Sequence, residues 1–439
     1  MKTIKLYLLY ILAASLLLAS CKPTVQVPRA NHGTADFTRY IAVGNSLTAG
    51  YADGGLYLAG QQNSFPSIIA KQMQTVGGGS FSQPLFTSDQ SNGSGYQALT
   101  GFAADHTTPI ITPVTTKLAV RGTITLPGLG TIALYTKYSG ALENYGVPGI
   151  KLSDILNPAY GNGNPYFERL LPNATPTNTT DYLDFVTVKS FTFFTNWLGN
   201  NDALGYATSG GAGDVLTDKT TFNTLYITLI TRLTANGAKG ACATIPDVTT
   251  IPYFTTVTVP IVLATVQKAN PAVQALYINA LVAGTTTYAP RAATPADLIV
   301  LTFPTSKIGV PNAGGYPYGL HPLNPIETQY VLDANEIALV KDYVNSYNST
   351  IKTVASSKGL AVFDAFTFLT NIKMNGLLIN GLNLNSNYIS GGIFSLDGVH
   401  LTPRGYSIVA NQFINAINAQ YGSNIPLADV AAFSGVKFP

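Results

Sequence analysis

Short β-forming runs alternate with helical stretches along most of this chain, and that alternation restricts its fold more than any other feature. Residues 41–43, 191–198, 241–245 and 360–363 read as strands, and 142–149 reads as a strand end followed by a glycine-rich turn. The stretch 184–188 is β-forming by the same measure. Residues 64–73 and 220–235 place apolar side chains at helical spacing, and a long helix is expected over 324–356, begun by Pro325. A last helix starts at Thr402-Pro403, a favoured cap followed by a favoured first-turn residue. Strands separated by helices predict an α/β protein: a mostly parallel sheet covered on both faces, with right-handed crossovers. Ligand sites in such sheets lie at the C-terminal ends of the strands.

Two stretches interrupt the alternation. Residues 77–140 open on Gly77-Gly78-Gly79-Ser80 and then alternate Thr, Val, Ile and Leu, as an inserted β-hairpin region does. Residues 250–325 form a second, irregular insertion rich in Thr, Pro, Gly and Tyr. The first lies between the Ser46 turn and the Gly149 turn and the second follows the strand ending near Ile245, so they are expected either to wall a pocket at the catalytic edge or to decorate the core. The domain is expected to span 37–425, leaving 426–439 as a C-terminal tail.

The N-terminal end is of another kind. Lys2 and Lys5 precede an apolar run through Leu18, too short for the ~20 residues that span a bilayer. Residues 1–20 therefore read as a signal peptide, and 21–36, with Pro23, Pro28 and Gly33, as a tether. Leu18-Ala19-Ser20-Cys21 resembles the bacterial lipobox, which implies lipidation of Cys21, a membrane anchor and a cell-envelope location. Ordinary cleavage that leaves Cys21 free is the alternative. Once Cys21 is acylated only Cys242 remains, so no intramolecular disulfide can form, and Cys242 reads as a core thiol within a strand. A formal charge of +3 without any Lys/Arg cluster gives nucleic acid nothing to hold. No His/Cys/carboxylate group has ligand spacing, and neither a metal nor an organic cofactor is implied.

Chemistry-bearing residues follow the strands. Gly44-Asn45-Ser46-Leu47 ends the first, where a serine hydroxyl can stand open to a substrate or simply cap the next helix. Near the last helix stands Asp397-Gly398-Val399-His400. A serine needs a base to take its proton, an imidazole suits, and a carboxylate three residues away can fix the imidazole tautomer. His32 lies in the tether, and His106 and His321 lie in the insertions without an acid at a workable offset. His400 is thus the candidate base, unless it is a surface histidine in a turn. Ester attack creates an oxyanion, for which the Ser46 N–H, the Gly149 N–H and the Asn201 amide are candidate donors. The alternative for Asn201 is a turn residue with local hydrogen bonds.

These blocks resemble the SGNH (GDSL-type) hydrolase family. Gly44-Asn45-Ser46-Leu47 is similar to its nucleophile block, Gly149 falls at its oxyanion glycine, Gly199-Asn200-Asn201-Asp202 at its Gly-x-Asn-Asp block, and Asp397–His400 at its Asp-x-x-His block. The resemblance implies a three-layer, flavodoxin-like α/β/α sandwich and hydrolysis of esters, including lipids and acetylated sugars. Ser46 would be the nucleophile, His400 the acid and base, and Asp397 the orienting carboxylate. Asn45 departs from the family, replacing the usual aspartate while keeping an acceptor oxygen. A binding lipoprotein of this fold without turnover, or an acyltransferase using the same site, is the rival expectation. Neither the oligomeric state nor the acyl and alcohol halves of the substrate can be read from the residues.

Overall fold

The computed structural model describes residues 30–439. The expected signal peptide, Cys21 and the first part of the tether lie outside the described residues. From Asn31 onward the chain is already packed. Thr34 N–H donates to the Tyr421 carbonyl at 2.9 Å, Asn424 N–H to that of Asn31 at 2.9 Å, and Ala35 and Phe37 are buried. The last residues of the expected tether therefore belong to the body. So does the expected tail, where Asn411 exchanges two hydrogen bonds with the Ala428 backbone and Val430 is buried.

Five parallel strands make the central sheet: β1 Tyr40–Gly44, β2 Asn144–Gly146, β3 Phe193–Trp197, β4 Lys239–Ala243 and β5 Ala361–Phe363. Their spatial order is β5-β4-β3-β1-β2, so the direction of winding reverses at β1, between β2 and β3. In doubly wound sheets that reversal opens a crevice at the strands' C-terminal ends. Gly44 at the end of β1 pairs with Gly146 of β2 and Trp197 of β3, so the segments leaving all three strands start level with one another. Every residue of β1 and β3 is buried, as strands covered on both faces require.

Helices α1 Ser46–Ala49, α2 Phe65–Gln74, α3 Asn201–Thr208, α4 Lys219–Thr234, α5 Ala334–Ser357 and α6 Pro403–Tyr421 complete the frame. One layer sets α6 against α2, β4 and β5; the other sets α5 against α3, α4 and the same two strands. Trp197 stands edge-on to Phe65, Phe363 and Phe413 in the first layer, and Phe222 of α4 stacks on Tyr347 of α5 at 3.9 Å in the second. The result is the expected α/β/α sandwich. Among the described residues no helix is long and apolar enough to cross a membrane.

Three local expectations are corrected. Residues 184–188 lie mostly in a helix, Tyr182–Thr187, rather than in a strand. Asp181 caps it through Asp184 N–H at 2.7 Å, and burial of Tyr182, Leu183 and Val186 overrides the β preference of the β-branched residues. The long helix starts at Ala334, not near Pro325. Asp333 and Glu336 form a capping box there, and Val331–Leu332 first pairs with Leu298–Ile299. The second insertion is also more regular than expected. It holds a helix, Val259–Ala269, capped by Thr258, and a hairpin of Tyr277–Leu281 with Tyr288–Ala292. The first insertion contains the expected hairpins, Tyr96–Phe102 with Pro109–Val114 and Val120–Leu126 with Gly130–Tyr135.

Candidate active site

The chain turns sharply after β1. A Cβ on Gly44 would fall 2.0 Å from Thr48 Oγ1, so only glycine lets α1 fold back this closely. Asn45 caps α1 by accepting a hydrogen bond from Leu47 N–H at 3.0 Å, while its buried Nδ2 has no partner. The acceptor oxygen is what the turn uses, which is why asparagine serves where the family has aspartate. Because Asn45 does the capping, the Ser46 hydroxyl is left for another partner.

That partner is His400. Its Nε2 lies 2.8 Å from Ser46 Oγ, and its Nδ1 lies 2.9 Å from Asp397 Oδ2. With the ring proton on Nδ1, given to the carboxylate, the Nε2 lone pair accepts the serine O–H. Asp397 is held firmly. Oδ1 accepts from the backbone N–H groups of His400 and Val399 and from Ser395 Oγ, and Oδ2 accepts from Gly54 N–H. Burial alone would raise its pKa, but the His400 charge and these N–H donors outweigh it and hold the carboxyl well below the usual range. It stays ionised throughout the neutral range.

The three oxyanion candidates leave three adjacent strands. Gly149 follows β2 in a left-handed conformation, φ +87°, that favours glycine. Neither its N–H nor that of Ser46 has an acceptor among the described residues. Asn201 Nδ2 donates one hydrogen to the Ile150 carbonyl at 2.9 Å, which ties it to the Gly149 turn and leaves its second hydrogen free. Asn201 thus has the local bond of a turn residue and a donor to spare.

Asp202 fixes the same turn from beneath. Its carboxylate accepts from Leu152 N–H at 2.6 Å, Ser153 N–H at 3.2 Å and Thr217 Oγ1 at 2.7 Å. Burial pushes its pKa up to about 6 against those bonds. Replacing Asp202 by Ala is expected to leave two backbone donors unpaired at about 1–3 kcal/mol each where they remain buried. Urea unfolding should show a loss of roughly 2 kcal/mol or more on that basis; an unchanged midpoint would contradict this role.

A further set of residues was not legible as part of the site. Asp53, in a left-handed conformation at φ +54°, gives its N–H to Ser395 Oγ and accepts from Leu396 N–H and Tyr57 OH. The loop thereby grips the segment that carries Asp397. Tyr51 lays its ring 4.6 Å from the His400 ring. The only sequence signals were the Asp53-Gly54-Gly55 turn and the position of Ser395, two residues before Asp397.

A cleft of about 670 Å³ opens beside His400, within the range of small-molecule sites. The first insertion contributes Gln97, Pro109 and Ile111 to it; the second contributes Tyr253, Leu301 and Thr302. Of the two expectations for the insertions, the wall is what they form. Both also bond to segments of the candidate site, Gln97 N–H to the Asp53 carbonyl at 2.8 Å and Tyr253 N–H to that of Gly398 at 3.0 Å. His106 and His321 lie elsewhere, His106 in a hairpin turn and His321 stacked on Tyr316, and His32 bonds its own loop. Cys242 is buried in β4, where burial pushes the thiol up to about 11.

A doubly wound sheet with hydroxyl, imidazole and carboxylate in hydrogen-bonded series at its switch point has the layout of a hydrolytic enzyme. Residues 40–413 match the GDSL-like lipase/acylhydrolase family model, and the chain belongs to that family of ester hydrolases. Among solved structures it is similar to LAE5, an alpha/beta hydrolase enzyme from the metagenome of Lake Arreo, at 10% identity and a TM-score of 0.37, covering 88% of this chain and 97% of that one. It is also similar to the lipase/acylhydrolase from Enterococcus faecalis, at 11% identity and a TM-score of 0.33, covering 89% and 100%. No curated protein matches the chain.

Proposed function

We propose that the protein is a lipid-anchored serine esterase of the bacterial cell envelope that works through an acyl-enzyme on Ser46. The observation that carries this is the unbroken series Ser46 Oγ, His400 Nε2, His400 Nδ1, Asp397 Oδ2, with contacts of 2.8 and 2.9 Å. In the first step Ser46 Oγ bonds to the ester carbonyl carbon as its proton passes to His400 Nε2. The carbonyl oxygen becomes an oxyanion facing the Ser46 and Gly149 N–H groups and the Asn201 amide. The tetrahedral centre collapses, the C–O bond to the alcohol breaks, and His400 returns the proton to the departing oxygen. Water then repeats the sequence on the acyl-enzyme and releases the carboxylic acid. Asp397 remains a carboxylate throughout and steadies the imidazolium.

The substrate is a carboxylic ester of lipid, acyl or acetylated-sugar type, and no cofactor takes part. Hydrolysis of p-nitrophenyl esters of rising acyl length by the purified protein tests this, and absence of turnover over the whole series would contradict it. An added alcohol that captures the acyl group would reveal transfer instead of hydrolysis.

The anchor rests on Leu18-Ala19-Ser20-Cys21. Wild-type protein is expected in the detergent phase on partitioning, and Cys21→Ala in the aqueous phase or as uncleaved precursor. Wild-type protein found in the aqueous phase would contradict the anchor.

A further inference from the structure

We infer that the cleft built by the two insertions receives the alcohol half of the ester, and that this alcohol is bulky, apolar and uncharged. The inference rests on the esterase reading above and adds which half of the substrate the enzyme selects. The side is set by chemistry. His400 Nε2 must reach the departing oxygen to protonate it, so the group attached to that oxygen leaves along the surface that carries His400. The cleft is lined by Asp397, Val399 and His400, whereas Ser46, Gly149 and Asn201 lie outside its lining. At about 670 Å³ it is far larger than a methyl or ethyl group needs.

The character of the alcohol follows from what the walls offer. Apart from Asp397 and His400, no charged side chain among the described residues lines the cleft, so a phosphate or ammonium group would find no further counter-charge there. Its hydroxyls are already committed. Tyr51 OH donates to the Gly54 carbonyl at 2.7 Å and Tyr388 OH to that of Leu396 at 2.6 Å. Thr208 Oγ1 donates to the Leu204 carbonyl at 2.9 Å, and Tyr253 OH and Thr302 Oγ1 lie 3.3 Å apart. The tyrosine hydroxyls therefore have no proton left to give a ligand, and among the described residues Gln97 is the one polar side chain of the lining left over. A sugar alcohol, with a hydroxyl on nearly every carbon, would lose more hydrogen bonds to water than this wall returns. An aryl or branched alkyl alcohol loses none there and gains apolar burial.

The test is a matrix of esters. Acetates vary the alcohol from ethyl through cyclohexylmethyl to 2-naphthylmethyl, with 6-O-acetylglucose and acetylcholine as polar and charged members. Ethyl esters vary the acyl chain from acetyl to octanoyl. Wild type is expected to prefer the naphthylmethyl and cyclohexylmethyl acetates to ethyl acetate by at least tenfold in kcat/KM, and to rank the polar and charged acetates last. Ile111→Trp, which narrows the cleft from the first insertion, should abolish that preference while preserving the ranking of the ethyl esters. Thr302→Trp, from the opposite wall, should do the same and serves if the first variant fails to fold by circular dichroism. Reordering of the ethyl esters with the acetates unchanged would overturn the inference, as would rankings that neither variant alters. Preference for the sugar or choline acetate would overturn the stated class. Loss of every activity in the wild type would instead strike the esterase reading on which the inference rests.

Discussion

Ser46→Ala is expected to lose ester hydrolysis by about a millionfold, the scale seen when a serine hydrolase loses its nucleophile, while keeping its fold. The fold should survive because the hydroxyl is not what builds the turn. Asn45 caps α1, Gly44 permits its close approach, and among the described residues the only side-chain bond of Ser46 goes to His400. Alanine retains the Cβ and is a better helix former than serine. Residual rate from the oxyanion donors and substrate binding would remain. Circular dichroism and a thermal melt should match wild type while kcat falls out of range. A variant that hydrolyses esters at wild-type rate would remove Ser46 from the mechanism.

Asp397→Asn is expected to lower kcat by about 10⁴ with KM little changed, the size of the same exchange in a serine protease. The cause can be followed atom by atom. Oδ1 faces three donors, the His400 and Val399 N–H groups and Ser395 Oγ, so the amide oxygen of asparagine must take that side. Its NH₂ then faces His400 Nδ1 and Gly54 N–H. Two donors meeting at His400 Nδ1 force the ring proton onto Nε2, where it points at Ser46 Oγ and cannot accept a proton. The Gly54 N–H loses its acceptor as well, but it is exposed and water replaces that bond at little cost to stability. A loss in kcat of threefold or less, under about 1 kcal/mol of barrier, would make Asp397 structural only.

How much of this was legible in the sequence depended on whether the information was local. The parallel core was, because β1 and β3 are short β-forming runs, mostly apolar, and each leads into glycine-flanked polar residues. The hydrogen-bonded series of Ser46, His400 and Asp397 was legible because Asp397 and His400 are three residues apart and Ser46 stands at a strand end. Tertiary burial decided where local preference failed. Residues 182–187 are helical because that packing buries Tyr182, Leu183 and Val186, and α5 waits for Asp333 and Glu336 because 331–332 is held in a strand pair. The helix Ala365–Asn375 and the hairpin Leu377–Ile379 with Leu382–Leu384 gave too short a pattern to be read at all. Asp53 escaped notice for another reason. Its partners Ser395 and Leu396 lie over 340 positions away, and nothing in the composition of its loop reports that contact.

An acyl-enzyme on Ser46 can be sought directly by trapping the nucleophile. Native protein is treated with a fluorophosphonate, digested, and the modified peptide located by mass spectrometry, with loss of ester hydrolysis followed in parallel. The account predicts one adduct per chain, on Ser46, with labelling and inactivation advancing together and both abolished in Ser46→Ala. An adduct on another serine that tracks inactivation, or full hydrolytic activity in protein whose Ser46 is completely modified, would contradict it.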